Sequence, residues 1–170
     1  MPNPRRPFRL NVGFIVHQEV GYKREFPFKF EQIQISDDLD LHHLEGVATI
    51  GHTPQGLIVQ ADFSAETSLE CVRCLNEFEH GLNWNLTELY AFNEKSVSES
   101  DLILPDDAHI DLQPLIREYA LLEVPLKPIC KPTCKGLCSV CGEDLNQTDC
   151  GHRDLTGESP FSALKDLLGE

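Results

Sequence analysis

"LIVQADFSAETSLECVRCLNEFEHGLNWNLTELYAF" runs from Leu57 to Phe92, and its two halves mirror each other around a C-x-x-C. In the first half Val59, Ala61, Phe63, Ala65, Thr67, Leu69 and Cys71 fall on one face. Gln60, Asp62, Ser64, Glu66, Ser68 and Glu70 fall on the other. Period-two alternation sustained this long marks an antiparallel strand with one buried side. After "CVRCLNE" the alternation resumes, with Phe78, His80, Leu82, Trp84, Leu86, Tyr90 and Phe92 sharing a face. Cys71 and Cys74 therefore sit at the tip of a long hairpin. Two thiolates on a tight turn are the geometry of a zinc knuckle, which grips one ion from one side.

Upstream, "HLEGVATIGH" (43–52) leads through "TPQG" (53–56) into the first of these strands. "SDDLD" (36–40) is a polar break. From Phe8 to Phe30 the chain reads as two short strands around a turn at Gly21, and Pro27 within "EFPFKF" predicts an edge position, because proline cannot donate to a central ladder. Downstream, "NEKSVSESDLILPDD" (93–107) reads as a mobile acidic loop. Asp111 then predicts a helix N-cap, with Leu112, Leu115, Ile116, Tyr119 and Leu122 at helical spacing and Pro114 in the first turn. "VPLKP" (124–128) ends that helix. Ser159 and Pro160 open a second, with Phe161, Leu164, Leu167 and Leu168 as its stripe.

The expected fold is α+β: a hairpin-rich antiparallel sheet, barrel-like or sandwich-like, with one mid-chain helix, a C-terminal helix and a cysteine-rich zinc segment. Residues 1–126 would form sheet plus helix, 127–155 the zinc segment docked on the tip at 71–74, and 156–170 the last helix. With 170 residues the chain can bury roughly two thirds of its unfolded surface, enough for an ordinary core. No apolar run approaches the ~18 residues of a membrane helix. "NVGFIV" (11–16) is too short for a signal-peptide core and no small-residue cleavage site follows. The expected compartment is the cytoplasm, where seven cysteines are better explained by metal than by disulfides.

Five of those cysteines and a histidine crowd "CKPTCKGLCSVCGEDLNQTDCGH" (130–152). The pairs are Cys71/Cys74, Cys130/Cys134, Cys138/Cys141 and Cys150/His152, eight ligands where structural zinc takes four per site. The count fits two zinc ions, with one ion as the alternative. In one partition Cys138, Cys141, Cys150 and His152 close locally, while Cys130 and Cys134 meet Cys71 and Cys74 and close a long loop. Other partitions stay open on sequence: a single site of Cys134, Cys138, Cys141 and Cys150, or one of Cys71, Cys74, Cys138 and Cys141. So do an iron–sulfur cluster, since four thiolates suit either metal, and thiol redox chemistry, although no C-x-x-C opens a helix in a βαβ pattern. A zinc deaminase would pair H-x-E with a later P-C-x-x-C; His43 and Glu45 supply the first element, but neither C-x-x-C follows a proline. No G-x-S-x-G, P-loop or G-x-G-x-x-G is present.

Charge is unevenly spread within the net −14. Residues 1–36 carry a net +3, 37–126 a net −15, 127–141 a net +3 and 142–170 a net −5. An acidic middle repels naked nucleic acid, so RNA contact is expected at the N-terminus or the cysteine segment. There Lys127, Lys131 and Lys135 bracket the first cysteines, and Arg73 lies inside the knuckle. These cations either neutralise a formally dianionic tetrathiolate or contact phosphate.

The succession "LECVRCLNEFEH", "IDLQPLIREYALLEVPLKPIC", "CKGLCSVCGEDLN" and a last cysteine before "SPFSALKDLL" resembles the YceD family of bacterial and chloroplast large ribosomal RNA subunit accumulation proteins. The resemblance covers the chain from about Leu57 onward. It implies a non-catalytic factor in large-subunit rRNA accumulation and processing, with the rRNA precursor or a basic ribosomal protein as partner. It carries Cys71, Cys74, Cys134, Cys138, Cys141 and Cys150 onto the family's cysteine positions. Members commonly end the cluster in C-x-C, where this chain has Cys150-Gly151-His152, which favours His152 as a ligand. A metal-dependent enzyme acting on rRNA precursors and a thiol redox sensor are the alternatives from other classes.

Overall fold

A computed structural model describes residues 6–97 and 100–152. The chain divides into two compact units, one of Met1–Leu69 with Glu79–Leu126, the other of Glu70–Phe78 with Lys127–Glu170. The hairpin tip thus belongs with the cysteine-rich segment. The C-terminal helix expected over 156–170 lies outside the described residues.

The first unit is built on a four-stranded antiparallel meander of β2 (Lys23–Ser36), β3 (Leu39–His52), β4 (Gly56–Glu70) and β5 (Glu77–Ala91), in that spatial order. A two-stranded sheet pairs β1 (Arg9–Asn11) with β6 (His109–Asp111). Along β4 every residue assigned to the inner face from Val59 to Thr67 is buried and every one assigned to the outer face is exposed. β5 repeats the pattern, with Leu82, Trp84 and Leu86 buried. Phe28 of β2, Phe63 of β4 and Trp84 of β5 pack across the inner face, with ring centroids 5.8 and 5.6 Å apart. Gly46 of β3 stands between Phe28 and Phe63 in register, and a Cβ there would lie 2.2 Å from the Phe63 ring. This glycine makes room for the aromatic row. Pro27 is exposed on β2, which is an edge strand as its proline predicts.

The hairpin-rich antiparallel sheet expected from the sequence is present; β2 and β5 are its edges, so it stays open and no closed barrel forms among the described residues. Phe8 to Phe30 departs from the two short strands expected there: only Arg9–Asn11 is a short strand, the chain then turns through the helix α1 (Gly13–Val16), which buries Ile15, and the second strand is the long β2. An apolar run too short to show a period reads equally as strand or helix. In 93–107, Glu94–Ser96 form a 3₁₀ turn capped by the Asn93 side chain, and Ala91 bridges Ile103. Leu102 and Leu104 pack against the core.

The mid-chain helix α2 is Gln113–Glu123. Asp111 ends β6, and its carboxylate accepts the Gln113 N–H while Leu112 occupies the cap. Leu112, Leu115, Ile116 and Ala120 are buried and Tyr119, Leu121 and Val124 pack partly buried against the core, but Leu122 is 74% exposed, so Leu121 takes the place expected for Leu122. α2 is tied to the β2–β3 turn: Gln113 Nε2 donates to the Ile35 carbonyl at 2.6 Å, and Arg117 pairs with Asp38. The Arg117 guanidinium and the Ser36 hydroxyl hold the Asp38 carboxyl down to about 2. Among the described residues no helix is long and apolar enough to cross a membrane.

Candidate metal centre

Both metal-competent clusters lie in the second unit. In the first, Cys71, Cys74, Cys130 and Cys134 bring their sulfurs within 4.8 Å of one another. Cys71 to Cys134 is 3.8 Å and Cys74 to Cys130 is 3.7 Å. Four thiolates at ~2.3 Å around one tetrahedral ion have edges of about 3.8 Å, so these two edges match those of a site that could hold a single ion. A disulfide would need them at about 2.05 Å. Cys71, Cys74 and Cys134 are buried, and Phe78, Ile129 and Leu137 pack around them.

In the second cluster the ligand atoms of Cys138, Cys141, Cys150 and His152 likewise lie within 4.8 Å of one another. Cys138 Sγ is 3.8 Å from His152 Nδ1, a fraction of an ångström wider than an ideal edge. Cys138 is buried, Cys150 and His152 are half-buried and Cys141 is exposed. Of the partitions that sequence left open, the fold assembles this pair of tetrads. His43 and Glu45 belong to neither.

The two C-x-x-C turns are one structure built twice. The Cys71 N–H donates to the Asn76 carbonyl and the Leu75 N–H to the Cys71 carbonyl. Correspondingly, the Cys138 N–H donates to Glu143 and the Gly142 N–H to Cys138. The residue after the second cysteine is left-handed in both, with φ +58° at Leu75 and +76° at Gly142. This geometry aims backbone N–H groups at the leading sulfur. The N–H of Cys130, with those of Arg73 and Cys74, holds the Cys71 thiol down to about 6. The N–H groups of Cys141 and Val140 bring Cys138 to about 6. Burial, then the neighbouring sulfurs of Cys74, Cys71 and Cys134, push Cys130 up to about 12. Four such thiols compete for ionisation, and a divalent cation is what lets all four be thiolates together.

A paired prediction follows from the shared turn. A non-glycine residue in the left-handed region costs about 1 kcal/mol or more. Leu75 is 56% exposed, so its side chain contributes little burial. Leu75→Gly is expected to be neutral or stabilising by up to ~1 kcal/mol. Gly142→Ala is expected to destabilise by about 1 kcal/mol through backbone strain alone, since no atom lies within 4 Å of a Cβ there. Thermal unfolding of the metal-loaded variants checks both signs.

Sequence reasoning singled out Arg73, Lys127, Lys131 and Lys135 as cations beside the metal. All four side chains are exposed. Arg73 also braces the first site, because its guanidinium donates to the Cys134 carbonyl at 2.9 Å and its own carbonyl accepts the Leu137 N–H. Gly136 makes that approach possible, since a Cβ would stand 2.9 Å from the Arg73 oxygen. Asp144 and Asn146 were missed. Asn146 Nδ2 donates to Cys134 Sγ at 3.4 Å, and its Oδ1 accepts the Lys135 N–H at 2.9 Å. Asp144 accepts from the Asn146 side chain and, at 3.2 Å, from Asn76. The D-x-N after C-G-E was the available signal, because such residues bond local backbone.

An open antiparallel meander whose β4–β5 turn carries one of two C-x-x-C knuckle turns, each feeding a tetrad that could hold a metal ion, defines an α+β protein with two candidate metal centres. The model of the family "Large ribosomal RNA subunit accumulation protein YceD" matches residues 59–168, and the chain belongs to that family. An uncharacterised protein of Mycobacterium tuberculosis (strain H37Rv) is 33% identical over 136 residues, 78% of this chain and 62% of that protein. The chain thus spans less than two thirds of the mycobacterial relative. The maize protein named large ribosomal RNA subunit accumulation protein YCED homolog 1, chloroplastic, is 41% identical over 61 residues, 34% of this chain and 21% of the maize protein. The Arabidopsis thaliana protein of the same name is 35% identical over 67 residues, 38% of this chain and 21% of its own length. No solved structure matches the chain.

Proposed function

We propose that this chain is a non-catalytic zinc protein that supports large-subunit rRNA accumulation by binding the RNA precursor through Lys127, Lys131 and Lys135. Zinc is favoured because both tetrads are four-membered sulfur or sulfur–nitrogen sets, one with a histidine, the donor chemistry of structural zinc. A scaffolding role is favoured over catalysis because four protein ligands per ion leave no open position for substrate or water. A reducing cytoplasm suits seven cysteines without disulfides. The family supplies the link to large-subunit rRNA.

The observation that carries the RNA reading is the exposed lysine triad on a segment without an acidic residue between 127 and 141. Each lost phosphate contact removes a released counterion. Replacing the three lysines with glutamine spares every ligand. The variant is expected to stay folded and metal-loaded while the salt slope of binding to precursor rRNA falls by roughly two to three units. Salt-dependent binding, with metal content measured on the same samples, tests this. If wild type and variant bind alike, the lysines only balance thiolate charge. A second reading then gains weight, in which a basic ribosomal protein docks on the exposed row that includes Asp62 and Glu66 of β4. Cleavage of precursor rRNA by the purified protein would favour the enzyme alternative, and zinc release on mild oxidation the redox sensor.

A further inference from the structure

Resting on the two-metal reading, we infer that the two sites load cooperatively, and that Asn146 is the positioning residue coupling them. Asn146 lies between Cys141 and Cys150, on the loop that the second site must close. Its side chain, however, serves the first site. The Nδ2 group donates to Cys134 Sγ at 3.4 Å, while Oδ1 accepts the N–H of Lys135, the next residue. One amide therefore grips Cys134 from both the sulfur and the backbone side. An N–H donated to a thiolate draws charge off a formally dianionic tetrathiolate, and outer-shell partners of this kind commonly change metal affinity by about ten- to a hundred-fold.

Asn146 is held in turn by the second knuckle. Its own N–H and its Nδ2 both donate to Asp144 Oδ1, at 2.9 and 2.7 Å. The other Asp144 oxygen accepts from Asn76, whose carbonyl takes the Cys71 N–H of the first knuckle. Asp144 follows Glu143, whose carbonyl takes the N–H of Cys138, and Asp144 bridges Leu137. Leu145 N–H donates to Gly136, completing the path. An ion at Cys138, Cys141, Cys150 and His152 would fix both ends of the loop carrying Asn146. The ordering cost of that loop would then already be met when Cys134 requires its donor. Linkage makes the effect reciprocal: an ion in the first site must favour the second by the same factor.

Cobalt(II) added to the metal-stripped full chain reports each site, because thiolate charge transfer and visible d–d bands differ between a tetrathiolate and a three-sulfur, one-nitrogen set. Four proteins are compared: wild type, Cys141→Ser, Asn146→Ala and the double variant. Cys141→Ser is expected to weaken cobalt at the first site about tenfold, within the usual range of coupling between sites. Asn146→Ala is expected to weaken it similarly with every ligand intact. In the Asn146→Ala background, Cys141→Ser is expected to cost less than about threefold more, the non-additivity of residues acting through one another. Asn146→Asp, which keeps the Lys135 acceptor but replaces the donor with a charge, guards against loss of fold. It is expected to show the same weakening with an unchanged near-ultraviolet spectrum. Equal first-site affinity in wild type and Cys141→Ser, or independent additive losses, overturns the coupling while leaving two metal sites. Absence of any cobalt thiolate band in wild type overturns the metal reading itself, and the coupling with it.

Discussion

Purified without chelator, the protein is expected to carry two zinc ions per chain, and stripping them is expected to unfold the cysteine-bearing unit while the four-stranded sheet persists. The asymmetry comes from what each unit has for a core. The sheet unit buries a continuous set that includes Phe8, Ile15, Leu41, Leu44, Ile50, Leu57 and Leu82. The second unit offers Cys71, Cys74 and Cys134, with Phe78, Ile129 and Leu137 only partly buried around them. So few apolar side chains fall short of the conformational entropy of ordering such a loop-rich segment. Structural zinc supplies on the order of 10 kcal/mol per site in small fingers, which makes metal binding and folding one event there. Amide exchange resolves the outcome. After chelation the Cys71, Leu137, Cys138 and Leu145 amides, each bonded within the cysteine unit, are expected to lose protection. Those of β3 and β4 are expected to keep it. A reproducible metal content near one ion per chain defeats the two-site assignment, as does protection that survives stripping. Iron with visible absorption would replace zinc.

The alternation from Leu57 to Phe92 made the hairpin legible, because a half-buried strand writes its two faces directly into the sequence. Pairing of Cys71 and Cys74 with Cys130 and Cys134 was legible from ligand count and loop reach. Other features were hidden for physical reasons. The run around α1 is too short for any period to show. Leu122 has the right spacing, but it is exposed while its neighbour Leu121 packs against the core, and spacing alone does not say which of two adjacent leucines near a helix end is taken in. The identity of the two knuckle turns was masked because one uses leucine where the other uses glycine at the left-handed position. Gly142 announces that conformation and Leu75 does not. Asp144 and Asn146 read as ordinary loop residues; that the Asn146 amide reaches a sulfur twelve residues back depends on tertiary placement.

Loss of one ligand is expected to cost far more at Cys71 than at Cys150. Cys71 is fully buried, its sulfur receives backbone N–H groups, and its backbone closes the knuckle through Asn76 and Leu75. Serine there substitutes a poorer ligand at a position with no solvent-exposed surface, so water is less able to complete the coordination shell. Three sulfurs would remain packed together, those of Cys74 and Cys134 in buried residues, and a buried charge left without its partner is strongly destabilising. The expected result is loss of one zinc equivalent and a destabilisation of about 4 kcal/mol or more, in the range reserved for broken metal sites and buried networks. Cys150 is half-buried beside the exposed Cys141, so water can take its place at the ion. Cys150→Ser is expected to retain part of its second zinc and to lose about 1–3 kcal/mol. The two sites also close loops of different length: in the first Cys71 meets Cys134 across 63 residues, whereas in the second His152 meets Cys138 across 14. Loop entropy grows only slowly with length, so it adds about 1 kcal/mol to the contrast and burial supplies the rest. Denaturant unfolding of both variants, with zinc quantified before and after, measures the difference. Equal losses at the two cysteines would mean that the eight ligands behave as one site.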